Sequence, residues 1–179
     1  MILQSLAAYY EELEKQGKIA RPGWGQVKVS FALVLDENGA LTRVIPLSSP
    51  AAEGKKTVPQ QRKLPAPVGR TVGISANFLW DNSTYLLGID AKGKPERSKD
   101  CFNAAKELHC ALLSSSDDPF AKAICRYFET WKPEEAERSP VLEEYLEEIY
   151  KGGNLVFCYD GAFPDEREAL CRAWQEHYD

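Results

Sequence analysis

The residues whose types and spacing could do chemistry are mostly cationic. Between Arg43 and Arg70 stand Arg43, Lys55, Lys56, Arg62, Lys63 and Arg70, with Glu53 the only acid among them. Lys and Arg neutralise phosphates and release condensed counterions, which gives sequence-independent affinity for nucleic acid. Amides follow closely at Gln60, Gln61, Asn77 and Asn82, and each can donate and accept at base edges. Phe78 and Trp80 offer aromatic planes that could stack or wedge. On this reading Lys55, Lys56, Gln60, Arg62, Lys63 and Arg70 grip or position along a phosphate backbone, and Asn77 and Asn82 contact bases or a groove. The competing reading is a solvated loop beside a strand whose aromatics are core.

Other chemistries are poorly served. The two histidines, His109 and His177, and the five scattered cysteines, Cys101, Cys110, Cys125, Cys158 and Cys171, form no Cys-x-x-Cys pair and no zinc spacing. His109 and Cys110 are neighbours on one expected helix and so point to different faces. The expectation is a structural histidine and reduced thiols. No Gly-x-Ser-x-Gly elbow, His-Glu-x-x-His helix or phosphate loop occurs. Lys92-Gly93-Lys94-Pro95 reads as a basic turn. The acids Glu134, Glu135, Glu137, Glu143, Glu144, Glu147 and Glu148 read as a solvated helix face. No catalytic residue, metal site or cofactor is expected.

These residues must be held by elements. Leu3, Leu6, Tyr10 and Leu13 recur at helical spacing. Val27, Val29, Phe31, Leu33 and Leu35 alternate, so one strand would put all five on one sheet face. Asp36-Glu37-Asn38-Gly39 turns it into a return strand, Leu41 to Leu47, whose Pro46 suggests an edge or an end. Residues 48–70, rich in proline and base, read as a long connection with one short strand, Thr57 to Leu64. Ile74 to Leu79 and Thr84 to Ile89 read as a strand pair or a strand–helix junction. Helices follow: one capped by Ser98, one by Asp118-Pro119, and one opened by Ser139-Pro140 and stopped at Gly152-Gly153. Leu155 to Tyr159 is a short buried strand, and Asp165 opens a last amphipathic piece carrying Leu170, Ala173 and Trp174. The order implies an α+β fold: an antiparallel sheet from N-terminal strands, with helices packed from the C-terminal half.

The bulk numbers suit one domain over the 179 residues. No apolar run is long enough to span a membrane, and Glu11, Glu12 and Glu14 follow the start too soon for a secretion signal, so the cytoplasm is expected. The net charge of −5 argues weakly against nucleic acid. Segregation of bases before residue 70 from acids after 129 restores one favourable face.

Several stretches carry a resemblance. They are Met1-Ile2-Leu3-Gln4 with Tyr9-Tyr10-Glu11-Glu12-Leu13, Pro22 to Ser30, Gly54-Lys55-Lys56-Thr57 with Val58-Pro59-Gln60-Gln61, and above all Ala76-Asn77-Phe78-Leu79-Trp80-Asp81-Asn82-Ser83-Thr84-Tyr85-Leu86-Leu87-Gly88 followed by Lys99 to Leu108. Together they resemble the N-terminal module of the type I-C (Dvulg subtype) CRISPR-associated large subunit of the Cascade surveillance complex. The resemblance implies a non-catalytic subunit that reads the protospacer-adjacent motif in double-stranded target DNA and helps open the duplex. It implies partners: the guide RNA-bound backbone, the crRNA-handling subunit and a helicase-nuclease recruited later. Base pairing to the guide would then supply most of the sequence specificity. A scaffold that docks on other subunits without reading DNA is the alternative. The charge alone also suggests phage anti-CRISPR proteins, acidic duplex mimics, as occupants of the basic face.

Overall fold

The computed structural model describes residues 8, 9, 12, 22–50, 57–71 and 73–179. Of the expected first helix only residues 8, 9 and 12 are described, and they are helical; Leu3, Leu6, Tyr10 and Leu13, with the pair Lys55 and Lys56, lie outside the described residues.

The alternating run does form strands, but it breaks at Ser30. Strand β1 (Trp24–Val29) ends before it and β2 (Phe31–Leu35) begins after it, in a different sheet. Asp36 shapes the next turn, its Oδ1 accepting from the N–H groups of Asn38 and Ala40 at 2.9 Å. Gly39 there has φ +79, and a Cβ would meet Tyr127 N at 2.5 Å, so both conformation and space require glycine. The return strand β3 (Leu41–Pro46) is at a sheet edge, as Pro46 implied. After it come the short pair β4 (Ser49–Pro50) and β5 (Thr57–Val58), then β6 (Gln60–Pro65) and β7 (Trp80–Asp81). Residues 74–79 are not a strand. β7 runs directly into the one-turn helix α1 (Ser83–Leu86), which is the strand–helix junction.

Helix α2 (Pro95–Leu113) starts three residues before the expected cap, with proline in its first turn. Ser98 lies inside it and donates to Asp90 Oδ2 at 2.8 Å. Helix α3 (Pro119–Thr130) is capped as expected, Asp118 accepting from Phe120 and Ala121 N–H. The Ser139-Pro140 segment is mostly turns, and only α4 (Leu146–Tyr150) is helical. Strand β8 (Leu155–Tyr159) and helix α5 (Glu168–Tyr178) complete the chain.

The fold is α+β. Its four-stranded sheet has the order β3-β2-β8-β7, and β1 pairs with β6 as a separate antiparallel ribbon. The sheet is mixed rather than wholly antiparallel, because β8 returns from the helices to pair parallel with β2. Parallel neighbours need a crossover, and the helices between provide it. Phe31, Leu33, Leu35, Leu155 and Phe157 face the helices, packed with Phe102, Phe120, Ile124, Phe128 and Trp174. Ala32, Val156, Cys158 and Trp80 face the opposite way, against Val27, Val29 and Leu64 of the ribbon. The result is three layers: helices, sheet and ribbon. Trp80 Nε1 donates to Pro65 O at 2.8 Å and ties sheet to ribbon. Phe78 and Trp80, 1% and 4% exposed, are core side chains and not free stacking planes.

Candidate nucleic-acid interface

Register decides what the ribbon shows to solvent. Directly opposed residues share a face, and Gln26 opposes Lys63 while Lys28 opposes Gln61. All four are exposed, on the side away from the sheet. Lys28 and Lys63 form no ion pair among the described residues. The ribbon thus carries two cations and two amides on its outer face, and no acid. Gln60, opposite Val29 at the start of β6, is exposed as well.

Arg62 faces the other way, opposite Val27. Its Nε and NH2 donate to both oxygens of Asp165 at 2.9 and 3.0 Å, and NH2 reaches Glu166 at 3.4 Å. The guanidinium lies 3.9 Å over the Phe163 ring, and the side chain is 15% exposed. A fork-to-fork pair over an aromatic face is a strong, directional contact. Arg62, expected to grip phosphate, is thus placed with its charge neutralised by two carboxylates, pinning the ribbon to the segment before α5.

Arg70 is also engaged. It pairs with Asp81, donates from Nε to Ser75 O at 2.7 Å and lies 3.9 Å over the Tyr85 ring. Asp81 is 1% exposed. Burial pushes its carboxyl up, against the opposing pull of Arg70 and of the N–H groups of Asn77 and Asn82. Asn77, 3% exposed, accepts the Val68 N–H at 2.8 Å through its side-chain oxygen. The residue expected to contact a base is thus placed as a buried amide that holds a loop. Asn82 caps α1, its oxygen accepting from Thr84 and Tyr85 N–H at 3.0 and 3.3 Å, so that acceptor is not available to a base. Arg70 and Asn82 do meet at one place, a cleft also lined by Lys92, Lys94 and Arg97.

The expected single patch over residues 43–70 is thus divided. Gln60 and Lys63 stand exposed, Arg62 and Arg70 are paired, and Lys55 and Lys56 lie outside the described residues. Gln26 and Lys28 are absent from the expected site, although the alternation of Val27 and Val29 requires the residues on either side of Val27 to face outward. The turn Lys92-Gly93-Lys94 reads from sequence only as a basic turn, because nothing local to it indicates which cations fold in beside it.

His109 is structural, as expected. Its Nε2 accepts from Leu79 N–H at 2.8 Å, so Nδ1 carries the proton and donates to Ala105 O at 2.7 Å. Leu79 has φ +74, a costly conformation for leucine that this bond helps hold. Burial lowers the His109 pKa to about 4. The described cysteines are free thiols, and burial pushes Cys125 up to about 12. Among the described residues, no group of three or more His, Cys, Asp or Glu side chains could hold a metal ion. No helix among them is long and apolar enough to cross a membrane.

Curated proteins give no match to the sequence. A family model, described as CRISPR-associated protein (Cas_Csd1), matches residues 6–179. That is nearly the whole chain, including the ribbon, the Asn77–Asn82 seam and every helix described above, and so the chain belongs to the CRISPR-associated Cas_Csd1 family.

Proposed function

We propose that the chain is a non-catalytic part of a type I-C surveillance complex, which engages double-stranded target DNA beside the protospacer-adjacent motif and helps open it. The observation that carries this reading is the outer face of the β1–β6 ribbon, with Lys28 and Lys63 beside Gln26 and Gln61 and no acid among them. A two-stranded ribbon fits the major groove of B-form DNA, where amides can distinguish base edges and lysines can neutralise phosphate. The acids support the same orientation. Glu134, Glu135, Glu137, Glu143, Glu144, Glu147 and Glu148 are all exposed, on the 3-10 turn Pro133–Arg138 and the segment around α4. Such a face repels a polyanion, so the duplex approaches elsewhere. Guide RNA pairing supplies the remaining specificity, and cleavage falls to a separate helicase-nuclease.

The test is duplex binding by a complex reconstituted around the chain. Lys28→Ala with Lys63→Ala should lower the slope of log affinity against log salt by about two. Gln26→Ala with Gln61→Ala should leave that slope alone and weaken preference for the adjacent motif, at about 1–3 kcal/mol for each lost base contact. Unchanged slope and preference in both variants would remove the ribbon from DNA recognition.

The same acidic face favours a second reading, a scaffold that docks a basic subunit. Here the double lysine variant would bind DNA normally, while reversal of Glu143, Glu144, Glu147 and Glu148 to Lys would release the chain from the complex.

A further inference from the structure

A cleft of about 430 Å3 opens where Arg70, Gly73, α1, the 90–94 turn and the start of α2 meet, with Tyr150 at its side. Its volume is within the range of about 300–1,000 Å3 usual for ligand sites. Four cations line it: Arg70, Lys92, Lys94 and Arg97. Lys92, Lys94 and Arg97 are exposed and form no ion pair among the described residues.

Of the acids nearby, Asp90 and Asp81 are occupied, and exposed Glu137, the edge of the acidic face, accepts from the Tyr150 hydroxyl at the cleft's side. Asp90 lines the cleft, but its oxygens accept from Lys92 N–H at 2.8 Å, Lys94 N–H at 3.5 Å and Ser98 Oγ at 2.8 Å. Burial opposes its charge, yet these bonds, Ser98 foremost, hold its carboxyl below the usual range. The effect is structural: Asp90 folds the backbone of the turn around itself and leaves both lysine side chains at the rim. Gly93, at φ +67, allows that turn. Asp81 sits behind Arg70 as its buried partner.

Arg70 is preorganised. A guanidinium carries five N–H donors, and the Ser75 carbonyl and Asp81 engage only its Nε and NH2 nitrogens. The Tyr85 ring fixes its plane from one side. The Thr84 hydroxyl, also lining the cleft, has no hydrogen-bond partner among the described residues. A fixed guanidinium, a hydroxyl and three exposed cations at a rim make a receptor for a phosphate diester: direct donors at the centre, counter-charge around it. Flexible, exposed lysines suit a polymer backbone passing the mouth better than a small molecule enclosed within. The receptor is joined to the ribbon through the chain, since Arg70 follows β6 by five residues.

We infer that this cleft is a second DNA contact, separate from the ribbon, which takes the sugar–phosphate backbone without reading sequence. The inference rests on the reading of the chain as a DNA-engaging subunit and adds a site to it. The experiment uses a complex reconstituted around the chain, with fluorescein-labelled duplex and single-stranded DNA of one sequence as probes over a salt series. Lys92→Ala, Lys94→Ala and Arg97→Ala together should lower the log–log salt slope by about three and leave motif preference unchanged. The probe that loses more affinity identifies whether duplex or separated strand passes the cleft. An unchanged slope with both probes overturns the cleft. It does so alone if Lys28→Ala with Lys63→Ala still lowers the slope, and together with the proposed function if neither variant does. Lysine modification of the unaltered chain gives an independent readout. Lys92 and Lys94 should be protected when DNA is added, and equal labelling with and without DNA also overturns the site.

Discussion

The two faces of the β1–β6 ribbon carry similar charges in opposite circumstances. On the outer face, Lys28 and Lys63 extend into water beside Gln61 and Gln26. On the inner face, Arg62 lies against Phe163 and is held by Asp165 and Glu166. Lysine and arginine suit these places differently. An ammonium on a flexible stem keeps its hydration and can neutralise a phosphate wherever it passes, whereas a planar guanidinium is more weakly hydrated and binds a carboxylate in a fixed fork. Adjacent residues, Arg62 and Lys63, have therefore separated into a structural and an available charge by the pleat of one strand. Arg70 combines both conditions, with two of its nitrogens committed inward and its remaining donors at a cleft.

The contrast can be broken at the buried end first. Arg70→Ala leaves the Asp81 carboxylate in the core without its cation. Removal of one partner of a buried pair costs about 3–5 kcal/mol, so urea denaturation should show a loss near the lower figure, because Arg70 is partly exposed. Asp81→Asn in the same chain should recover part of it.

His109 tests the same principle by pH. Its folded pKa of about 4 is below the ordinary 6.5, so the folded state binds the proton less well than the unfolded state. Stability is complete above about pH 6.5 and falls as the pH drops towards 4, by about 3 kcal/mol at 1.36 kcal/mol for each unit. Denaturation midpoints across that window should fall accordingly. His109→Leu should lower stability at neutral pH, because Leu79 N–H loses its acceptor, and should flatten this part of the pH dependence.

Arg62→Ala should cost about 2 kcal/mol, the scale of hydrogen bonds to charged groups. Arg62→Lys should restore little of it, since an ammonium cannot make the two-pronged contact. The salt slope of DNA binding should not change, which separates Arg62 from its neighbour. The smallest effect on stability belongs to Lys28→Ala and Lys63→Ala, within about 0.5 kcal/mol. Destabilisation as large as that of Arg62→Ala would mean that the outer face is structural too.

Much of the fold was legible locally. Asp118-Pro119 caps α3, Asp36 to Gly39 forms the turn, and Leu155 to Tyr159 is a buried strand, because each rests on bonds or φ values set within a few residues. The helix expected after Ser139-Pro140 was mostly turns, and Ser98 bonded to Asp90 and not to its own helix N-terminus. For Ser98 a hydrogen bond to a side chain outside the helix outweighed a weak local capping preference. The candidate site was less legible. Outward residues of β1 could be counted from the alternation, but the fates of Arg62, Arg70 and Asn77 could not.

By itself the sequence determined the α+β class, the outward parity of Gln26 and Lys28, and which segments hold charge, since these follow from side-chain period and residue type. Only the tertiary structure decided which charges were free. Arg62 meets Asp165 across 103 residues of sequence, and the cleft gathers Arg70 with Lys92, Lys94 and Arg97 from separate segments. Electrostatic energy depends on distance and solvation in space, and neither is written in the spacing along the chain.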